Sequence, residues 1–188
     1  MEIRKEMLPA TIWFTGLSAS GKSTLSKRLY DDLKSIGVHN VVLLDGEAIR
    51  DRMENYNFDN SSREKIGTIK AEISMEENNK GNIVLISGIA SKRKWRKDIR
   101  DMVPRYFEVY LKCTVDVCAE RDFKGHYKKA IAGEYENFVG VTEDYEEHEY
   151  VDLQLDTGAD DIERCSEVLL EKIKEYLFNP SSINKKCV

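Results

Sequence analysis

The sequence predicts an α/β protein with a parallel sheet of about five strands and helices on both faces of the sheet. Short strand-like segments alternate along the chain with helical or polar stretches, as in proteins built from βαβ units. Two of the segments, residues 41–44 and 83–86, are continuous apolar runs, which suit strands that are covered on both faces. The five predicted strands lie at residues 10–15, 41–44, 83–86, 106–111 and 151–155.

A glycine-rich loop follows the first strand-like segment. Residues 16–24, GLSASGKST, match the pattern G-x-x-x-x-G-K-[ST] and lie between a β-branched, aromatic segment and leucines at helical spacing, the context that a P-loop requires. In such a loop backbone N–H groups bind phosphate oxygens, the lysine reaches the β- and γ-phosphates, and the serine hydroxyl binds Mg²⁺. The sequence therefore predicts a P-loop NTPase-type fold whose nucleotide-binding residues are Gly16, Ser18, Ala19, Ser20, Gly21, Lys22, Ser23 and Thr24.

Length and composition indicate one globular domain. The chain has 188 residues, of which 41% are hydrophobic and 34% charged, and no linker or repeat divides it. We expect a single domain over residues 1–178 and a disordered tail over residues 179–188. The formal net charge of −5 argues against wholesale nucleic-acid binding, because affinity for a polyanion comes mainly from clustered lysines and arginines.

Neither a membrane span nor an export segment is predicted. The sequence has no run of eighteen apolar residues, and its first residues lack the apolar core of a signal peptide. We therefore expect a cytoplasmic protein that binds no membrane. The four cysteines contain no C-x-x-C pair and predict neither a zinc site nor a disulfide framework.

Ligands of open parallel sheets bind at the carboxyl ends of the strands, where Asp45 and Glu47 follow the second strand. Carboxylates at this position can hold Mg²⁺ through water or accept a proton from an attacking hydroxyl. For Asp45 we favour such a role over capping of the next helix. For Glu47, function and a solvated position in the first helical turn stay equally open.

Three further residues are candidates for a second binding site. Arg50 and Arg63 could bind anionic groups bidentately, although each alone would more often be a surface arginine. Phe58 lies in a polar stretch, where a lone aromatic ring needs either the core or a base to stack on. Composition alone favours the core.

The order of these motifs resembles the adenylylsulfate kinase family over roughly residues 10–175. The resemblance rests on GLSASGKST, LDGEAIR, Phe58 five residues before Arg63, RDFKGHYKKAIAGE at residues 121–134, and FVGV at residues 138–141. The most distinctive piece is KGHYKKAIAGE, residues 124–134, which is similar to the lid segment of that family.

The resemblance implies an enzyme that transfers the γ-phosphoryl group of ATP to the ribose 3′-hydroxyl of adenosine 5′-phosphosulfate, with Mg²⁺ as cofactor. Lys22 and Ser23 would hold phosphates and Mg²⁺, and Asp45 would serve as a metal-shell or base residue. Arg121 would lie against the adenine of ATP, and Lys128 on the lid would approach phosphates on closure. The family is commonly dimeric, so we expect a homodimer.

The resemblance also implies the acceptor site. Arg50 and Arg63 would bind the 5′ anhydride of the acceptor, while Phe58 and Phe138 would sandwich its base. Ile89 and Arg93, after the third strand, match the substrate side as well. The basic cluster at residues 92–97 is interpreted as the rim of this anion site plus a solvated helix face rather than as a nucleic-acid patch.

Three departures from the family pattern fall on the acceptor side. Glu47-Ala48 stands where the family has Asp-Asn, Ile66 where it has an asparagine, and Lys92 where it has an aromatic residue. Lost polar partners relax or redirect substrate choice. The same 3′-phosphorylation of cytidine 5′-diphosphoramidate, used in decoration of capsular polysaccharide, is therefore an alternative. A sugar-acid kinase and a catalytically silent nucleotide-binding module stay open as further hypotheses.

Overall fold

Five parallel strands form one sheet in the order β2-β3-β1-β4-β5. The strands are β1 (Thr11–Gly16), β2 (Val41–Leu44), β3 (Ile83–Ser87), β4 (Tyr106–Lys112) and β5 (Leu153–Asp156). The computed structural model describes residues 7–44, 49 and 59–178. The prediction of a five-stranded parallel sheet is confirmed, and β1, which leads into the P-loop, lies at its centre.

The fifth strand begins two residues later than the sequence predicts. The side chain of Asp152 accepts a hydrogen bond from the backbone N–H of Glu108 at 2.7 Å and pairs with Arg100 at 2.8 Å. These contacts take the place of ladder pairing at this position. The regular pairing with β4 starts at Leu153, opposite Val109.

Six helices connect the strands of the described part of the chain. They are α1 (Lys22–Ser35), α2 (Asn60–Asn79), α3 (Arg93–Met102), α4 (Val115–Glu120), α5 (His126–Ile131) and α6 (Ile162–Leu177). Side chains cap three of them, because Asp59, Thr114 and Asp161 each accept a hydrogen bond from a backbone N–H in the first turn. Helix α1 instead begins at the left-handed Gly21 of the P-loop.

Both faces of the sheet are buried. One core contains Ile12 and Phe14 of β1 with residues of α1 and α6, and a second core contains Trp13 with residues of α2 and α3. Alternate residues of β1 thus enter different cores, as expected for a strand covered on both sides. Cys165, Leu169 and Ile173 form a buried stripe on α6, whereas Ile162 is exposed directly after the cap.

The segment between β4 and β5 has little regular structure. It contains the short helices α4 and α5, and the loop beyond α5 turns through a single bridge between Val139 and Glu143. Among the described residues, no helix is long and apolar enough to span a membrane. Residues 179–188 lie outside the described part, so the disordered tail stays a prediction.

Candidate active site

The P-loop has the backbone geometry that its glycines permit. Gly16 has φ 145°, and a side chain there would place a Cβ atom 2.6 Å from the carbonyl oxygen of Leu111. Gly21 has φ 96°, a left-handed conformation that glycine adopts without strain. These two positions therefore require glycine, and they turn the chain from β1 into the N-terminus of α1.

Two hydroxyl groups from distant parts of the chain hold carbonyl oxygens of the loop. The hydroxyl of Tyr127, in α5, donates to the carbonyl oxygen of Ser18 at 3.0 Å. Thr157, after β5, donates to the carbonyl oxygen of Ser20 at 2.9 Å. Carbonyl oxygens that are bonded to the protein body leave the N–H side of the loop to face an anion, as in other phosphate-binding loops.

Lys22 lies at the first position of α1, and its ammonium group donates to the carbonyl oxygen of Leu17. Desolvation by burial lowers the pKa of Lys22 to about 8, while the nearby thiols of Cys118 and Cys113 oppose this shift. A bound phosphate would favour the charged form again. The position and the chemistry fit a ligand for the terminal phosphates of a nucleotide.

The predicted magnesium ligand, Ser23, is exposed in the first turn of α1. Its carbonyl oxygen accepts from Ser26 at 3.2 Å, and the Ser26 hydroxyl lies 2.9 Å from that of Ser87 at the end of β3. A hydroxyl beside a phosphate site suits Mg²⁺, which takes few protein ligands and keeps waters and phosphate oxygens. Within residues 7–44, 49 and 59–178, no group of three or more His, Cys, Asp or Glu side chains could hold a metal by itself.

Arg121 caps the end of α4 beside the loop that follows β5. Its guanidinium nitrogen Nη1 lies 3.8 Å from Sγ of Cys113, and Gly158 packs against the same cysteine. The exposed Arg121 therefore borders a surface formed by the ends of β4 and β5. This placement suits the predicted contact with the base of a nucleotide on the P-loop.

On the acceptor side, Arg63 forms a buried brace between α2 and the loop that carries Phe138. Its Nη1 lies 2.6 Å from Oε2 of Glu143, with side chains 5% and 10% exposed, and its Nη2 donates to the carbonyl oxygen of Asn137. The sequence predicts that Arg63 binds a substrate anion. In the structure its two terminal nitrogens bond protein oxygens, so its contact with substrate stays a prediction.

Phe138 lies in the loop beyond α5 and packs in a cluster that includes Leu17 and Ala19 of the P-loop. Its ring packs edge-on against Tyr127, with centroids 4.8 Å apart, and is stacked on Tyr135 at 5.9 Å. These contacts leave the ring partly buried. Its stacking on the acceptor base stays a prediction. Lys128 is exposed on α5, where the prediction puts it close to phosphates after lid closure.

The basic cluster at residues 92–97 faces an acidic segment, residues 143–149. Lys92 lies 3.2 Å from Glu143, and the half-exposed Arg93 pairs with Glu149 at 3.3 Å and donates to the carbonyl oxygen of Glu147. Arg96 is buried and donates to the carbonyl oxygen of Ala90 at 2.7 Å. The structure thus brings Arg93 to protein carboxylates, and its predicted role toward substrate stays untested.

A cleft opens between α2 and α3 at the carboxyl end of β3. It brings together Arg63 and Ile89, which are far apart in sequence, and both were predicted for the acceptor site. Further lining residues are Trp13, Gly67, Ala90 and Trp95. Four other predicted site residues, Asp45, Glu47, Arg50 and Phe58, lie outside the described residues and stay predictions.

Sequence reasoning missed the residues that hold these sites together. Thr157 follows a predicted strand, which is a usable signal for a ligand-side position, but its bond to the P-loop is not visible in the sequence. Tyr127 lies in the lid motif without being singled out. Glu143, Tyr145 and His148 belong to an acidic run that resembles a solvated loop.

A parallel sheet of order 2-3-1-4-5, a P-loop at the central strand and a lid beside it define a P-loop kinase. Comparison with known proteins gives the family. The chain belongs to the adenylylsulphate kinase family, whose sequence model matches residues 8–156.

Relatives and a solved structure agree with this assignment. The chain is 40% identical to an adenylyl-sulfate kinase of Prochlorococcus marinus over 87% of this chain and 83% of the relative. It is 37% identical to a probable adenylyl-sulfate kinase of Bacillus subtilis, over 88% and 85% of the two chains. The structure of the Mycobacterium tuberculosis APS kinase in complex with AMPPNP and APS is similar with a TM-score of 0.82 and 26% identity, over 89% of this chain and 99% of that chain.

Proposed function

We propose that this protein is an adenylyl-sulfate kinase, which transfers the γ-phosphoryl group of ATP to the ribose 3′-hydroxyl of adenosine 5′-phosphosulfate (APS). The products are ADP and the 3′-phospho form of APS. Family membership and the named activity of the relatives support this proposal. The solved kinase with both an ATP analogue and APS supports it further.

One structural observation carries the proposal: the strand that leads into the P-loop is hydrogen-bonded to a residue that lines the cleft. The backbone N–H of Ala90, which lines the cleft, donates to Oγ1 of Thr15 at 3.3 Å. Thr15 directly precedes Gly16, the first residue of the P-loop. An acceptor held in the cleft would therefore lie next to the terminal phosphate of a donor held by Lys22, and phosphoryl transfer depends on such positioning.

The residues of this chain would act mainly by binding and orienting. Lys22 would bind the β- and γ-phosphates, and Arg121 would lie against the donor base. Ser23 and Asp45 would hold Mg²⁺, which when bound supplies positive charge to the transferring phosphates. Asp45 would also accept the proton of the attacking hydroxyl. The lid, residues 124–134, would close over the phosphates and exclude water.

Cytidine 5′-diphosphoramidate is the second candidate acceptor. Ile66 is buried, with 4% of its surface exposed, and offers the acceptor no amide group. Lys92 is committed to Glu143 rather than presenting an aromatic face. Both features change the contacts open to the acceptor while leaving the donor side intact.

An ADP-release assay with Mg-ATP tests the proposal. We expect turnover with APS, a product phosphorylated at the 3′ position by phosphorus NMR, and loss of turnover in Lys22→Ala. Turnover with cytidine 5′-diphosphoramidate alone would reassign the acceptor, and turnover with gluconate alone would reject a nucleotide acceptor. Absence of turnover with all three would indicate a silent nucleotide-binding module.

A homodimer in the cytoplasm and a single domain over residues 1–178 belong to the same proposal. Light scattering of the purified protein tests the dimer. A mass that stays that of one chain at micromolar concentration would reject it.

A further inference from the structure

A line of four side chains runs from β4, through the acidic segment at residues 143–149, to the strand that leads into the P-loop. Oε1 of Glu108 lies 2.9 Å from Nδ1 of His148. Nε2 of His148 lies 3.1 Å from the hydroxyl of Tyr145. That hydroxyl lies 2.8 Å from Oγ1 of Thr15. We call these four residues the Thr15–Glu108 chain.

The Thr15 end of the Thr15–Glu108 chain contacts the cleft. Oγ1 of Thr15 accepts the hydrogen bond from the backbone N–H of Ala90, a cleft-lining residue. The carbonyl oxygen of Ala90 in turn accepts from Arg96 at 2.7 Å. Thr15 therefore holds the loop after β3 through this hydrogen bond, and that loop forms one wall of the cleft.

With neutral His148, the hydrogen bonds that join Nε2, Tyr145, Thr15 and the Ala90 N–H can all run in one direction. Nδ1 must carry the proton, because an imidazole lone pair 2.9 Å from a carboxylate oxygen would be repelled, even though the two groups are not aligned for a well-directed hydrogen bond. Nε2 then accepts from the Tyr145 hydroxyl. The Tyr145 oxygen accepts from the Thr15 hydroxyl, whose oxygen accepts from the Ala90 N–H.

Protonated His148 does not satisfy the chain. Three protons are then donors: that on Nε2, that of the Tyr145 hydroxyl and that of the Thr15 hydroxyl. Only two contacts can take them, the one between Nε2 and the Tyr145 oxygen and the one between the two hydroxyl oxygens. One hydroxyl proton has no acceptor within the described residues of the chain. Thr15 is completely buried, so water cannot replace the missing acceptor there.

Charged groups from several elements surround His148. Glu108, on β4, favours the imidazolium, whereas Arg96 and Arg100, on α3, lie 3.9 Å and 3.4 Å from the Glu108 carboxylate and compete for it. The ring of Tyr110, also on β4, packs on the imidazole with centroids 4.2 Å apart. His148 itself is 6% exposed, so these neighbours rather than water surround its ring.

We propose that Tyr145 and His148 are positioning residues for the acceptor: with neutral His148 the Thr15–Glu108 chain holds the Ala90 wall of the cleft, and protonation of His148 loosens that wall. This inference rests on the proposed function in one respect, namely that the cleft binds the acceptor. It adds a pH-dependent acceptor affinity that donor binding does not share.

The test compares His148→Gln and Tyr145→Phe with the unchanged protein between pH 5.5 and pH 8. A glutamine can accept from Tyr145 and donate to Glu108 at every pH. The acceptor KM of His148→Gln therefore stays constant over this range, whereas the acceptor KM of the unchanged protein rises as pH falls. Tyr145→Phe raises the acceptor KM across the whole range, roughly fivefold, as expected for a lost buried hydrogen bond. The KM for ATP changes little in either variant. His39→Gln, at an exposed histidine, keeps the unchanged pH profile.

A second measurement does not depend on activity. Amide hydrogen exchange of residues 88–93 is measured in the nucleotide-free protein and corrected for intrinsic rates. At pH 7.5 we expect faster exchange in Tyr145→Phe than in the unchanged protein. At pH 5.5 we expect faster exchange in the unchanged protein than in His148→Gln. If APS is not turned over but the exchange pattern holds, the proposed function fails and the positioning role stands. If exchange and the pH profile of acceptor KM are the same in all variants, the positioning role is wrong.

Discussion

The hydroxyl of Tyr127 donates a hydrogen bond to the carbonyl oxygen of Ser18, 3.0 Å away, and so ties the lid helix α5 to the P-loop. Tyr127 is 1% exposed and packs with Cys113 and Cys118 under the loop. Its backbone N–H is held by Asp122 at 2.7 Å. The lid is therefore anchored to the donor site at its first turn, while its lysines lie on the exposed face.

Tyr127→Phe should weaken ATP binding without changing the fold. The variant removes one hydrogen bond to the P-loop, worth about 1 kcal/mol, which corresponds to about fivefold in the Kd for ATP. Isothermal titration calorimetry measures this change. Tyr135→Phe is the matched control, since the Tyr135 hydroxyl lies 3.1 Å from His126 and not on the P-loop. Equal effects of the two variants would contradict an anchoring role for Tyr127.

ATP affinity should fall as pH rises above about 8. Burial lowers the pKa of Lys22 to about 8 in the nucleotide-free protein, so the side chain is neutral above that pH, whereas bound phosphates favour the ammonium form. Binding must then take up a proton, and the Kd rises by up to about tenfold per pH unit. Calorimetry in two buffers of different ionisation enthalpy detects the proton.

Lys22→Met provides the control for this dependence, because it binds ATP weakly and with no change above pH 8. The same pKa has a consequence for folding. The unfolded chain binds more protons than the native state between about pH 8 and the ordinary lysine pKa, so the Lys22 contribution to stability rises with pH in that window. An ATP affinity that is constant from pH 7 to pH 9.5 would show that Lys22 stays charged.

Arg63→Met should be strongly destabilising. The variant leaves the 10%-exposed Glu143 without its closest cation, although Lys92 remains at 3.2 Å. Removing one partner of a buried ion pair costs about 3–5 kcal/mol, and Lys92 should keep the loss near the lower value. Urea denaturation measures it, and the double variant Arg63→Met with Glu143→Gln should regain part of the loss.

An exposed ion pair gives the comparison for Arg63. Lys27 and Asp31 lie 2.6 Å apart with side chains 58% and 55% exposed. Lys27→Met should change the free energy of unfolding by less than about 1 kcal/mol. Strictly additive effects of the Arg63 and Glu143 substitutions would show that the two side chains do not interact.

Phe138→Ala should raise the acceptor KM and leave the ATP KM unchanged. Stacking of a base on an aromatic ring is worth about 1–3 kcal/mol, so the effect should be at least about fivefold. Steady-state kinetics with APS and ATP varied separately measure both constants. Phe123→Ala removes the 92%-exposed ring that directly precedes the lid and should leave the acceptor KM as it is. An unchanged acceptor KM in Phe138→Ala would assign this ring to packing against Tyr127.

Features encoded by short-range spacing could be predicted from the sequence alone. The P-loop needs its glycines and lysine within eight consecutive positions, and the periodicity of apolar residues indicates the strands and helices. The sheet, its two covered faces, the donor residues around Lys22 and the lid segment therefore follow from the sequence. Resemblance to the family also put Arg63, Ile89 and Phe138 on the acceptor side.

Contacts between distant parts of the chain were decided only by the tertiary structure. Arg63 lies 80 positions from Glu143, and Tyr127 lies 109 positions from Ser18. In the sequence, residues 143–149 read as a solvated acidic loop, and nothing local shows that they fold over the basic start of α3. Pairing of a buried charge or hydroxyl depends on which groups the fold brings within about 3 Å of each other. That depends on how distant segments pack together and not on the spacing of residues in the sequence. The sequence therefore predicts where phosphates bind, and the fold decided which side chains hold the two predicted sites together.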